Sequence, residues 1–118
     1  MILLFVLTGC NTQTQTNEEV IRENIMKYLF AIESGDINEM VKYADDIRFP
    51  DKNDQKMEYE NIDDDITDTS IEKLEKISAT EYQVTIRYRQ GKGDLTKITF
   101  PVTKKDDGWK IIVGQDIN

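Results

Sequence analysis

Two stretches near the carboxyl end of the chain alternate apolar and polar residues with a period of two. The apolar members are Tyr82, Val84, Ile86 and Tyr88 in the first stretch and Ile98, Phe100 and Val102 in the second. Because the side chains of a strand point alternately to its two faces, this period predicts two half-buried antiparallel strands. The Asp107-Gly108 pair is a strong hairpin signal and leads into a third strand that begins at Trp109. We therefore expect a three-stranded meander, with Trp109 in the core and Pro101 near a sheet edge or a bulge.

Two helices are predicted ahead of these strands. Thr16 and Glu19 have the spacing of a capping box, and the apolar residues behind them recur on one helical face over roughly Asn17 to Ser34. Gly35 supplies a left-handed residue that ends this helix, and Asp36 offers the N-cap of the next one. Together these signals predict a helical hairpin with almost no loop.

The segment between the helices and the meander is less regular. Residues 45–68 are rich in acidic side chains and turn formers, so we expect a surface segment with turns or short strands. Ile71, Leu74 and Ile77 then recur every third residue, which fits either a short helix or a strand. Helices followed by a meander predict an α+β domain over residues 17–118, in which an N-terminal helical hairpin packs on a curved antiparallel sheet.

The first ten residues are an apolar run that ends in Leu7-Thr8-Gly9-Cys10, and Cys10 is the only cysteine. This arrangement is typical of a bacterial lipobox, so we expect residues 1–9 to be a lipoprotein signal peptide and Cys10 to be lipidated. No Lys or Arg precedes the run, which suggests a natural start further upstream. Residues 10–16 would be the lipidated cysteine and a polar tether that hold the protein at the extracytoplasmic face of the cell membrane. The alternative is a buried strand over residues 1–7 beside an unmodified Cys10 thiol.

Charge and composition exclude several classes of function. The net charge is −8, from 23 acidic and 15 basic residues, which disfavours nucleic acid as a partner. The chain has no histidine and therefore lacks the commonest general base at neutral pH. Its one cysteine is assigned to the lipid. We accordingly expect no catalytic residue and no cofactor.

The acidic segment also contains potential calcium ligands. Asp51, Asn53 and residues 63–65 supply the hard oxygen atoms that calcium prefers. The register of an EF-hand fails from Asp51, because Lys56 replaces the turn glycine and Ile62 the closing glutamate. We expect a solvated charged segment and no metal site, with a weak, irregular cation site as the alternative.

One basic cluster stands out in this acidic chain, at the outward positions of the predicted strands and their turns. It comprises Arg87, Arg89, Lys92, Lys97, Lys104 and Lys105. We expect Arg87, Arg89 and Lys97 to contact an acidic partner, either an anionic cell-wall polymer or another protein. The alternatives are an ordinary solvated face of the sheet and a homodimer in which two sheets pack through the long basic stems.

Two short patterns indicate a family resemblance: the Gly35-Asp36 pair between two helices, and the Gly108-Trp109-Lys110 run on the last strand. The chain resembles the cystatin-like superfamily of nuclear transport factor two, and within it the small bacterial lipoproteins, over residues 17–113. The resemblance implies a cone, in which a sheet curls around a long helix and leaves a pocket at its open end. Members include isomerases, dehydratases, ligand binders and extracellular modules, so the fold cannot choose among them.

The resemblance also implies where chemistry would lie if the domain were an enzyme. Some members are similar to acid–base machines built on an aspartate and a tyrosine, for which the candidates are Asp36, Asp45 and Asp46 with Tyr28, Tyr43 or Tyr82. We expect instead a membrane-anchored, non-catalytic binding or interaction module. The alternatives are a pocket enzyme of isomerase or dehydratase type and a self-protection lipoprotein that binds a toxic peptide. A carboxylate with a raised pKa in a closed apolar pocket would favour the enzyme.

Overall fold

The computed structural model describes residues 16–61 and 65–114. In chain order, the elements are α1 (Asn17–Ser34), α2 (Ile37–Tyr43), β1 (Ala44–Asp46), α3 (Lys52–Glu60), β2 (Ile66–Ser78), β3 (Glu81–Gln90), β4 (Thr96–Lys105) and β5 (Gly108–Val113). The predicted signal peptide, Cys10 and the tether up to residue 15 lie outside the described residues and stay predictions. Within the described ranges, no helix is long and apolar enough to cross a membrane.

The helical hairpin forms as its capping signals predict. The Thr16 hydroxyl accepts a hydrogen bond from the Glu19 backbone N–H at 3.2 Å, and the Glu19 carboxylate accepts one from the Thr16 backbone N–H at 2.9 Å. Gly35 ends α1 with a φ of 75°, a left-handed conformation that glycine adopts at little cost. Asp36 then caps α2 by accepting from the Glu39 N–H at 3.3 Å. The helix α2 therefore folds back on α1 immediately.

The sheet has five strands in the order β1-β5-β4-β3-β2. Strands β2 to β5 form an antiparallel meander, and the short β1 adds to β5 in parallel. The α+β fold class is confirmed, with four strands rather than three in the meander and one parallel pair at the edge. The expectation that Pro101 marks a strand near a sheet edge was wrong, because β4 is the central strand. Proline is tolerated there because the pairing of β4 with β5 ends at Val102, one residue from Pro101.

Irregular pairing explains why residues 71–77 also resembled a helix. The stretch is part of β2, where Ile71 pairs with Ile86 and Leu74 with Val84, so three residues of β2 span two of β3. The extra residue of this bulge brings Ile71 and Leu74 to the same face despite their three-residue spacing. Similar register shifts occur between Thr67 and Ser70 and between Lys76 and Ser78.

The core lies between α1 and the concave face of the sheet. Helix α1 contributes Ile21, Ile25 and Leu29, and the strands contribute Val84, Ile86, Val102, Ile111 and Val113, all buried. Trp109 is only 5% exposed, and its ring meets that of Tyr82 edge to face with centroids 5.5 Å apart. The prediction of Trp109 as a core residue is confirmed.

The prediction for residues 45–68 was wrong in one respect, because the segment contains the helix α3. Gln55 is the only buried residue of α3, and Met57 is 63% exposed, so the helix has no apolar stripe that a periodicity search could find. Its start is marked by Asp51, whose side chain accepts a hydrogen bond from the Asn53 N–H at 2.7 Å. This residue, considered above for calcium, therefore acts as a helix cap.

Candidate functional site

A carboxylate is buried at the end of the shortest strand. Ala44 and Asp46 of β1 both point inward, because alternate residues of a strand share a face, and Asp46 lies beside Val113 of β5. The Asp46 side chain has no exposure to solvent. A buried carboxylate is costly unless it is paired and hydrogen-bonded, so its surroundings decide its role.

Asp46 accepts four hydrogen bonds. Arg48 donates two through its side chain, from Nε at 2.9 Å and from Nη2 at 2.7 Å, and a third from its backbone N–H at 3.0 Å. The fourth comes from the hydroxyl of Tyr59 on α3, at 2.7 Å. The paired side-chain bonds are the fork geometry in which arginine binds carboxylates best. Asp46 is therefore held firmly in one orientation.

These contacts set the protonation states of the cluster. Burial alone would raise the pKa of Asp46, but the hydrogen bonds from Arg48 and Tyr59 and the charge of Arg48 outweigh it and lower the pKa below its ordinary value. Burial and the neighbouring carboxylate raise the pKa of Tyr59, and burial chiefly raises that of Tyr28. At neutral pH, Asp46 is thus ionised and both phenols are protonated.

Gly114 closes one side of this cluster. Its φ of 87° is left-handed, and a Cβ at this position would overlap Asp46 Oδ1 and lie 3.0 Å from Arg48 Nε. Only glycine provides both the backbone conformation and the space that the ion pair occupies. The end of β5 is therefore fitted directly against the Asp46–Arg48 pair.

A cavity of about 400 Å³ opens beside the cluster, between the helical hairpin and the sheet. Apolar side chains dominate its wall, namely Ile32, Ile37, Met40, Ile66, Phe100 and Val113. Its polar side chains are those of Arg48, Tyr28 and Tyr59. A second cavity of about 280 Å³ shares Tyr28, Ile32, Ile66 and Phe100 with the first, so the two adjoin. A mostly apolar pocket with a few converging polar groups is the usual form of a small-molecule site.

Of the six acid–base candidates, the structure brings together only Asp46 and Tyr28. Asp36 caps α2, and Asp45 forms ion pairs with Lys52 at 2.5 Å and with Lys105 at 3.7 Å. Tyr82 packs against Trp109 in the core. The Tyr43 ring lies under the ammonium groups of Lys27 and Lys42, at 6.0 and 5.3 Å. These four residues therefore have structural surroundings away from the cavity.

The predicted partner-binding residues lie on the outward face of the sheet, where each meets a carboxylate of β2. Glu72 lies 3.7 Å from Arg87 and 3.1 Å from Lys97, which face each other across β3 and β4. Arg89 pairs with Asp68 at 2.9 Å. The cluster is thus partly neutralised within the domain, and its role in binding an acidic partner stays a prediction.

Arg48 and Tyr59 belong to the site but were missed in the sequence, because both fall in the segment taken as a solvated surface. The only local signal is the Asp46-x-Arg48 spacing, which is too common to single out a site. Across residues 16–61 and 65–114, no group of three or more metal-ligating side chains converges. The cluster is therefore a fixed ion pair at the wall of an apolar cavity.

No family profile and no curated protein sequence matches the chain. A crystal structure of a ketosteroid isomerase-like protein from Erwinia carotovora atroseptica SCRI1043 is similar to it, with a TM-score of 0.57 at 17% identity. The match covers 83% of this chain and 92% of that one. At this identity the likeness shows the fold: three helices on a five-stranded mixed sheet, in the cone arrangement of nuclear transport factor two and ketosteroid isomerase-like proteins.

Proposed function

We propose that the chain is a lipid-anchored, non-catalytic binding protein of the extracytoplasmic membrane face, which holds an apolar small molecule in the cavity beside Asp46. The observation that carries this proposal is the apolar wall of that cavity, lined by Ile32, Met40 and Phe100 among others. Its volume lies within the range of known small-molecule sites, about 300 to 1,000 Å³.

The state of Asp46 supports binding over acid–base catalysis. A general base that works near neutral pH usually has a pKa tuned toward that pH. The pKa of Asp46 is instead lowered, and Arg48 and Tyr59 occupy its oxygens with four hydrogen bonds. A carboxylate held in this way is a weak base. Two observations support the alternative of an isomerase or dehydratase: the fold, and the proximity of Tyr28 to the Asp46–Arg48 pair.

Occupancy of the cavity can be tested with a matched pair of methionine substitutions. Met40 lines the cavity, whereas Met57 is exposed on α3. Met40→Trp should fill the cavity and so remove buried contacts between the protein and the apolar fluorescent probe N-phenyl-1-naphthylamine. We expect the affinity for the probe to fall by about tenfold or more, which corresponds to about 1.4 kcal/mol of binding free energy or more. Met57→Trp should leave probe binding unchanged. Failure of the parent chain to bind any apolar probe, or equal effects of the two variants, would count against the proposal.

The lipid anchor rests on Leu7-Thr8-Gly9-Cys10 and on the polar residues that follow. Two acyl chains give stable membrane attachment, since each buried methylene contributes roughly 0.8 kcal/mol. Residues 11–16 could span at most about 20 Å when extended, so the anchor would keep the start of α1 close to the bilayer. In a bacterium that processes lipoproteins, the parent should partition into detergent and Cys10→Ser should not. Unchanged processing and partitioning of Cys10→Ser would contradict the anchor.

A further inference from the structure

The cavity beside Asp46 has an uneven set of polar groups. Its lining includes one cation, Arg48, and two tyrosines, Tyr28 and Tyr59, but no carboxylate, because Asp46 is not part of the wall. The chain as a whole carries a net charge of −8. The charge that Arg48 brings to this cavity is therefore opposite in sign to the net charge of the chain.

Arg48 retains unused hydrogen-bonding capacity. A guanidinium has five N–H donors. Two of these bond to Asp46, through Nε and Nη2, and Tyr59 is a further hydrogen-bond partner of the side chain, which leaves N–H groups of the guanidinium for a ligand. The Arg48 side chain is 56% exposed and lines the cavity, so these donors are accessible from it. The Asp46 pairing and the Phe49 ring, 5.3 Å from the guanidinium carbon, hold the group in place.

Tyr28 adds a second donor on the same wall. The residue is 7% exposed and lines both adjoining cavities. A protonated phenol can donate one hydrogen bond to an acceptor. Arg48 can only donate hydrogen bonds and Tyr28 can donate one as well, so an anionic acceptor complements these two side chains.

We propose that the ligand of this cavity is an amphipathic carboxylate, whose apolar body lies against Ile32, Met40 and Phe100 and whose carboxylate accepts hydrogen bonds from Arg48 and Tyr28. This inference rests on the proposed function and specifies the chemistry of its ligand. Arginine is suited to the role because its planar donors match the two oxygens of a carboxylate. Asp46 acts as a positioning residue that fixes the guanidinium.

Head-group preference tests the inference on the native chain without any mutation. The probes are octanoate, 1-octanol and octylammonium, which share an apolar chain, and their affinities are measured by isothermal titration calorimetry at pH 7. Octanoate should bind at least about tenfold more tightly than octanol, as expected for a hydrogen bond to a charged group. Octylammonium should bind most weakly. The net charge of the chain acts in the opposite direction, so a preference for octanoate must come from the site itself.

A double variant identifies the recognising residue. Asp46→Asn combined with Arg48→Gln removes both charges without leaving a buried ion unpaired, and Arg22→Gln on α1 is the matched control outside this cavity. The double variant should lose the preference for octanoate over octanol, whereas Arg22→Gln should keep it. A preference that survives in the folded double variant overturns the assignment to Arg48.

The outcomes separate this inference from the proposed function. Equal affinities of the native chain for octanoate and octanol overturn the carboxylate ligand but leave an apolar binding protein. No binding of any of the three probes overturns both. Should the double variant fail to fold, as judged by circular dichroism, the comparison of head groups on the native chain still decides.

Discussion

Replacing Gly114 with alanine should destabilise the domain much more than the same change at Gly35. Both glycines have a left-handed φ, 87° and 75°, so each substitution carries a backbone cost of roughly 1–2 kcal/mol. A Cβ at Gly35 would meet nothing within 4 Å, whereas a Cβ at Gly114 would overlap Asp46 and crowd Arg48. Gly35→Ala therefore isolates the backbone cost that the two variants share.

The additional cost at Gly114 comes from the ion pair. Displacing the Asp46 carboxylate would weaken hydrogen bonds to a buried charge, each worth about 1.5–3 kcal/mol. We expect Gly114→Ala to lower the free energy of unfolding by about 3–5 kcal/mol and Gly35→Ala by about 1–2 kcal/mol. Domains of this size have a total stability of about 5–15 kcal/mol, so the larger loss is readily measured by urea denaturation.

The stability difference between Gly114→Ala and Gly35→Ala should depend on pH if it comes from the Asp46–Arg48 ion pair. Because the pKa of Asp46 is lowered in the folded state, the carboxylate stabilises the domain above its unfolded pKa of about 3.9, and this stabilisation is lost as the pH falls through the folded value. Gly114→Ala should raise the folded pKa toward the unfolded one. The difference between the two variants in lost free energy of unfolding should then be largest near pH 7 and should shrink toward pH 3. Equal losses for the two variants at pH 7, or an excess that does not change with pH, would refute this reasoning.

Three further predictions concern other parts of the molecule. Tyr59→Phe removes one hydrogen bond from the buried Asp46, so acid unfolding should begin at a higher pH than in the parent; an unchanged acid transition would contradict the role of Tyr59. Trp109→Ala should cost about 3–5 kcal/mol in urea denaturation, because the indole is buried against Tyr82, and red-shifted, water-exposed Trp109 fluorescence in the folded parent would exclude this. Charge reversal of Arg87, Arg89 and Lys97 to Glu should weaken co-sedimentation with an anionic cell-wall fraction; undiminished binding by the folded variant would leave the cluster as an ordinary solvated surface. This triple variant should also lose more than about 0.5 kcal/mol in free energy of unfolding, since the new glutamates would repel Glu72 and Asp68.

The parts of the fold that could be predicted are those with strong local signals. Capping at Thr16 and Asp36 and the alternation along β3 and β4 are properties of neighbouring residues, so they are readable without the tertiary structure. The β2 strand was ambiguous because bulges change its period from two to three. Helix α3 was missed because tertiary contacts, rather than an apolar stripe, hold it in place.

The candidate site was predictable only in part, for a similar reason. Asp46 and Tyr28 were among six candidates of equal standing, since spacing along the chain does not show which side chains meet in the cone. Their selection depends on the parallel pairing of β1 with β5, which directs Asp46 inward. The roles of Arg48 and Tyr59 depend on the position of α3, which no local pattern reveals.

The irregular pairing of β2 has a consequence for the membrane anchoring that we propose, because anchored copies would be crowded together. Strand β2 is 13 residues long and forms one edge of the sheet, where a flat strand would invite edge-to-edge aggregation. Its three register shifts and its charged side chains, among them Glu72, Lys73 and Glu75, make this edge a poor template for another strand. The opposite edge, β1, has only three residues. Many copies could therefore stand side by side at high density without polymerising through their sheets.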